Sequence, residues 1–199
     1  MVQMNSDQIS TTSFSTMSLV SCGTATSYDC IKETEWLKLE TWVYRYGSYG
    51  TVSSRFEWLK VPSNTDIDVF AIGLNSNFSP TPGTESLSYK YDLCDPLSGV
   101  CTTFENPKSV ADKRDGGGYA FKIDLNNNPY HRNHRGYMKY SFTPNVSNAI
   151  VADAYSHYAH QVRTFSINPS ITMPLGGGLS LSYGNDFSYV HGHAQLKPW

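Results

Sequence analysis

Charge is scarce in this chain: Asp, Glu, Lys and Arg make up 16% of its 199 residues, against about 25% in an ordinary globular protein. The formal net charge is −2, so nothing in the composition attracts a polyanion. Nucleic acid and anionic membrane surfaces are therefore not expected partners. No apolar run approaches the roughly 18–20 residues of a spanning helix, and no transmembrane segment is expected. The start, Met1-Val2-Gln3-Met4-Asn5-Ser6-Asp7, lacks the charged and then apolar stretches of a signal peptide. There is no C-x-x-C pair to mark a zinc ribbon or a thioredoxin-like centre. There is also no G-x-S-x-G elbow, and no glycine fingerprint that would cradle a phosphate after a parallel strand.

What the chain does have is four cysteines at suggestive spacings. Cys94 and Cys101 bracket Asp95-Pro96-Leu97-Ser98-Gly99-Val100, a stretch of turn chemistry in which Pro presets φ and Gly accepts a positive one. The residues before it alternate apolar and polar as a half-buried strand does, so the two cysteines are expected to face each other across a hairpin and form a disulfide. Cys22 and Cys30 close a second short loop. Four cysteines allow three connectivities; pairing of neighbours is the economical one. Disulfides belong to oxidising compartments, so the expectation is a secreted protein whose leader has been removed, with Met1 supplied for expression.

Strand signals dominate from residue 36 onward. Segments 36–46, 51–61, 66–74, 87–93, 100–104, 119–125, 136–143, 150–167, 170–175, 179–183 and 187–193 are rich in β-branched and aromatic residues and are separated by Gly, Pro and Asn clusters. In 119–125, Tyr119, Phe121, Ile123 and Leu125 point one way and Ala120, Lys122 and Asp124 the other, which predicts one buried and one wet face. Residues 106–118 read as a solvated connection, and 176–178 as a flexible glycine loop. The fold expected is all-β, an antiparallel two-sheet sandwich of jelly-roll or Greek-key kind with about ten short strands. It occupies 31–199 as one domain, preceded by a Ser/Thr-rich arm over 1–30.

Candidate sites are of two kinds. Aromatic and basic residues at turns (Tyr46, Tyr49, and Tyr130, His131, Arg132 and Arg135 in a basic segment) offer amphipathic contacts for a ligand. The Trp residues Trp36, Trp42 and Trp58, with Tyr44, either fill the core or form a stacking platform. Histidines are the second kind. His191 and His193 are two apart, which puts both imidazoles on one face of a strand and makes them candidate ligands of a divalent metal. His157 and His160 are three apart and on a strand would face opposite ways. The carboxylate pair Asp66 and Asp68 reads as a solvated strand face, and no cofactor is otherwise called for.

The stretches Ser54-Arg55-Phe56-Glu57-Trp58-Leu59-Lys60-Val61-Pro62 and Tyr155-Ser156-His157-Tyr158-Ala159-His160-Gln161 resemble segments of exported β-rich proteins of Gram-positive bacteria. That resemblance implies secretion and carries no activity. The functional expectation is a secreted, non-catalytic protein with a recognition or structural role at a cell surface, its partner a carbohydrate, peptide or protein. A hydrolase drawing on a metal or on a Ser/His pair in the histidine cluster is the second reading. A β-pore-former, inserting segments such as 175–183 as hairpins, is the third.

Overall fold

The computed structural model describes residues 20–21, 29–125, 128–162 and 168–199. In chain order its strands begin with β1 (Val20–Ser21), β2 (Asp29–Glu33), β3 (Leu37–Tyr46), β4 (Tyr49–Trp58) and β5 (Ile67–Leu74). They continue with β6 (Phe78–Pro80), β7 (Ser86–Cys94), β8 (Cys101–Lys108), β9 (Lys113–Asp115) and β10 (Gly118–Asp124). The last five are β11 (His131–Pro144), β12 (Ala152–Gln161), β13 (Ile171–Thr172), β14 (Ser180–Leu181) and β15 (Phe187–Leu196). A front sheet has the order β1-β2-β3-β4-β11-β7-β8, with β6 paired to the end of β11, and a back sheet has the order β15-β12-β5-β10-β9. Among the described residues every pairing is antiparallel except β1 with β2. The all-β sandwich expected from the strand pattern is what forms.

The two sheets close on one aromatic and aliphatic core. Front-sheet Leu37, Leu39, Val43, Val52, Phe56, Met138, Tyr140 and Phe142 meet back-sheet Phe70, Ile72, Leu74, Phe121 and Tyr158. Phe56 packs edge-on to Phe70 at 5.0 Å and against Tyr158 at 4.5 Å between ring centroids. Each such fully buried ring contributes about 2 kcal/mol from the water it sheds. At one side the sheets are stitched directly, through Thr41 Oγ1 and Ser156 Oγ at 2.5 Å and through the His193 N–H donating to Cys30 Sγ at 3.3 Å.

The outer faces of the two sheets differ. On the front sheet β11 alternates: Met138, Tyr140 and Phe142 are buried, while Tyr137, Lys139 and Ser141 face out. On the back sheet β5 is buried on both faces, because residues 168–183, carrying β13 and β14, lie across its outer side. Ile171, Met173 and Leu181 there cover Val69, Ala71, Ala120 and Ala159 in a second, smaller core. Contact at the crossing requires glycine: a Cβ on Gly73 would stand 2.4 Å from the Cα of Gly177, which itself has φ +85° and lies against Tyr155. Of the run 176–178, expected as a flexible loop and as part of a membrane-inserting hairpin, Gly177 is buried at this crossing of the 168–183 strap while Gly176 and Gly178 are exposed. The expected wet face of 119–125 is dry at Ala120 because the same strap covers it.

Other boundaries shift. Residues 106–118 are not a plain connection, since β8 runs through to Lys108 and β9 pairs with β10. The segment 130–135 is not a turn from end to end. β11 begins at His131, with a bulge between Arg132 and Arg135 and Asn133 at φ 53°. The expected N-terminal arm gives up its last residues to β2, which joins the front sheet from Asp29. Cys94 and Cys101 are bonded across the tip of the β7–β8 hairpin, Cα to Cα 4.0 Å, as their spacing predicts. Cys30 is also disulfide-bonded; Cys22, its expected partner, lies outside the described residues.

Candidate functional site

Four strands of the front sheet set out a flat, uncovered surface. Register aligns Lys38, Glu57, Arg135 and Lys90 in one row across β3, β4, β11 and β7; Glu40, Arg55, Tyr137 and Ser88 form the next. Trp42, Ser53, Lys139 and Ser86 form a third row, and Tyr44, Thr51 and Ser141 a fourth. Strand alternation sends all of these outward while their neighbours fill the core. The charges are interlocked: Arg55 reaches Glu57 at 2.9 Å and Glu40 at 3.4 Å, Lys38 reaches Glu40 at 3.1 Å, and Lys90 reaches Glu105 at 3.2 Å. Such exposed pairs add little stability, but they hold long side chains in fixed places.

Tyr137 stands in the middle, 40% exposed, with a groove on each side. One, of about 550 Å³, is lined by Arg55, Glu57, Ser88, Lys90, Arg135 and Tyr137. The other, of about 470 Å³, is lined by Ser86, Ser88, Pro107, Lys108, Tyr137 and Lys139. At the upper edge Asp92 takes hydrogen bonds from Asn133, Arg135 and Thr103 at 2.9, 3.0 and 2.7 Å. Partial burial works against the charge of Asp92, yet these three donors outweigh it and hold its carboxyl down at about 2. Arg135 is thereby fixed at the rim of the first groove.

The other residues singled out from the sequence are spread around the molecule. Tyr46 and Tyr49 stack on each other at 5.6 Å at the β3–β4 tip, both exposed. Tyr130 is exposed in the turn before β11. Arg132 is spent on the backbone, donating to the carbonyls of Pro129 and His131. His131 is buried against Tyr91, ring to ring 4.2 Å. His134 is buried beside it and bonds Tyr89 through Nδ1 at 2.6 Å. The bulge is the cause: it brings residues 131 and 134, which a regular strand would send to opposite faces, to the same inner face. Trp58 is a core residue, while Trp36 and Trp42 are half-buried.

The histidines expected as metal ligands divide into separate pairs. His157 and His191 face each other in the β12–β15 ladder with Nδ1 atoms 2.8 Å apart, and His157 Nε2 meets the carbonyl of Gly177 at 2.7 Å. His193 shares their face but binds Asp153 at 2.9 Å and stacks on Tyr155. His160 points to the opposite, inner face, where its Nδ1 meets Asp68 at 3.0 Å. Among the described residues no group of three or more His, Cys, Asp or Glu converges as an ion would require. Asp68 corrects the solvated reading of its strand: it is wholly buried, and burial raises its pKa against the hydrogen bonds from His160, Tyr158 and the Gln161 N–H.

Sequence reasoning missed Tyr137, Arg55 and Lys139. The alternation of Gly136-Tyr137-Met138-Lys139-Tyr140 was a signal that they face outward, but not that this face is bare. Comparison with known proteins supplies no assignment: no family model matches the chain, and no curated protein matches it.

Proposed function

We propose that the protein is a secreted recognition module that binds a neutral, extended polar ligand, foremost a carbohydrate chain, across the outer face of its front sheet. The observation that carries this reading is the asymmetry of the sandwich: the back sheet is roofed by 168–183, whereas the front sheet leaves Tyr137 open between two grooves. Tyr137 offers a flat apolar face for a sugar ring, and the ordered Ser, Lys, Arg and Glu groups around it offer donors and acceptors for hydroxyls. Lys38, Arg55, Lys90 and Arg135 are each paired with a carboxylate, which favours a neutral ligand over a strongly charged peptide. The grooves are open to solvent, suited to modest affinity and to binding repeated along a polymer. The disulfide-closed β7–β8 hairpin and the absence, among the described residues, of a helix long and apolar enough to cross a membrane are compatible with an extracellular setting.

Electrophoresis through native gels containing soluble neutral glucans, xylan or mannan tests the proposal. Retardation by at least one polymer is expected, and Tyr137→Ala should abolish it while leaving the melting temperature within the small range typical of a surface change. Free migration in every gel, or undiminished retardation of the variant, would refute the front-face assignment.

A further inference from the structure

Beyond the front face, the end of the sandwich remote from the Tyr46–Tyr49 tip holds a built pocket. Three adjacent strands of the back sheet place Asp68, His160 and Ser188 in one row on the inner face. His160 lies opposite Ser188 in the β12–β15 register, and Asp68 follows the Val69–Ala159 pair between β5 and β12. The pocket above them, about 290 Å³, is lined by Trp36, Trp58, Lys60, Ser63, His160 and Ser188. The two indoles pack at 4.8 Å between ring centroids, and the His160 ring stands edge-on to Trp58 at 4.7 Å.

The hydrogen bonds beneath the pocket all run toward one carboxylate. Trp58 Nε1–H donates to Tyr158 Oη at 2.9 Å, and Tyr158 donates to Asp68 Oδ2 at 2.6 Å. The Gln161 N–H donates to Oδ1 at 3.1 Å. His160 completes the set by donating from Nδ1 at 3.0 Å. In the neutral ring that donation leaves the lone pair on Nε2. His160 is 94% buried by its 6% exposure, yet Nε2 is not among the sealed unpartnered atoms, and the residue lines the pocket. The pocket therefore has an imidazole nitrogen at its floor, an acceptor when the ring is neutral, and aromatic walls.

We propose that this pocket binds a neutral ring bearing a hydroxyl group, which donates to His160 Nε2 while the apolar face of the ring lies on Trp36 and Trp58. A carboxylate ligand has no proton to give that lone pair, and Lys60, paired with Glu35 at 3.3 Å, brings no net charge to draw a charged ring to the mouth. The volume is at the lower end for ligand pockets, enough for one small ring. Two sources share this chemistry: a terminal sugar residue and a phenolic ring.

The test is NMR of the indole and imidazole nitrogens in the full chain, titrated separately with methyl β-glucopyranoside, phenol and anisole. A saturable shift of the Trp58 and His160 signals with the glucoside assigns a sugar, and with phenol an aromatic ligand. Anisole, which has no hydroxyl to donate, should leave His160 Nε2 unmoved. Ser188→Leu, which narrows the pocket without touching the Asp68–His160 bonds, should weaken binding about tenfold or more. Tyr137→Ala on the front face should leave it unchanged, which separates this site from the front-face reading. The proposal is overturned if neither glucoside nor phenol gives a saturable shift, if anisole binds as phenol does, or if Ser188→Leu binds as the wild type.

Discussion

His157 ties the strap to the back sheet, and acid should untie it. The carbonyl of Gly177 can only accept, so His157 donates to it from Nε2 and must present a bare Nδ1 to its partner; His191 then donates from its own Nδ1. Only the neutral ring of His157 fits this arrangement. Burial is the main cause that pushes its pKa down to about 4; the nearby His191 adds to the shift and the Gly177 carbonyl opposes it. In the unfolded chain the same group titrates near 6.5. A histidine depressed in the folded state binds fewer protons there than when unfolded, so its contribution is intact above the unfolded pKa and is lost as pH falls toward the folded one. With these two values the loss is about 2 kcal/mol between pH 7.5 and 5, and about 3 kcal/mol once pH is below 4. The window above pH 5 lies clear of ordinary carboxylate titration. Urea unfolding followed by tryptophan fluorescence at pH 7.5 and pH 5 measures the loss. His134, also held down at about 4 chiefly by burial, adds its own share, so the informative comparison is between wild type and His157→Gln. Glutamine can still donate to the Gly177 carbonyl but does not titrate. The stability gap between the two proteins should shrink by about 2 kcal/mol from pH 7.5 to 5. Parallel pH profiles would refute the assignment of the strap's acid sensitivity to His157.

Four further outcomes follow from particular contacts. Gly73→Val drives a side chain into the Cα of Gly177, so the strap should lift and limited proteolysis should cut within 168–183 far faster than in wild type; equal cutting rates would contradict the close crossing. Replacing Asp68 by Leu strands the hydroxyl of Tyr158, the Nδ1–H of His160 and the N–H of Gln161 in a dry interior, at a cost of about 3 kcal/mol or more by chemical denaturation. Asp68→Asn, which keeps an acceptor, should cost less, and equal losses would count against the network. The Cys94–Cys101 bond closes a short exposed hairpin, so Cys94→Ser/Cys101→Ser should lower stability by about 2 kcal/mol without altering the circular dichroism of the sheet. Intact mass of the untreated protein should rise by ~4 Da on reduction, as two disulfides require; an unchanged mass would remove the argument for an oxidising compartment.

The parts of this architecture visible in the sequence are those set by neighbours in the chain. The Cys94–Cys101 hairpin needs only the turn between its cysteines, and the outward direction of Tyr137 and Lys139 needs only strand alternation. Asp68 shows where that local logic ends. In Asp66-Ile67-Asp68-Val69 both carboxylates look alike, and the difference between them is made by Tyr158 and His160, some ninety positions later. Nothing nearer than β12 could mark Asp68 as buried. The bulge at Asn133 is similar: which face His131 and His134 take depends on a pairing irregularity against β7 that the sequence of β11 does not announce. The strap decides the functional reading, and it is the least local feature of all. Alternation shows that a strand has two faces, but which face stays open depends on where residues 168–183 come to rest. They settle on the back sheet because Gly73 and Gly177 permit contact there and because Val69, Ala71, Ala120 and Ala159 give Ile171 and Met173 an apolar bed. The front sheet presents Arg55, Tyr137 and Lys139 in the same relative position, and no apolar strap could cover those side chains without stripping water from their charges. The open face and the roofed face therefore have a common cause in the outward residues of two strand sets, and a charge placed at Ala71 should uncover the second as surely as it would bar the strap.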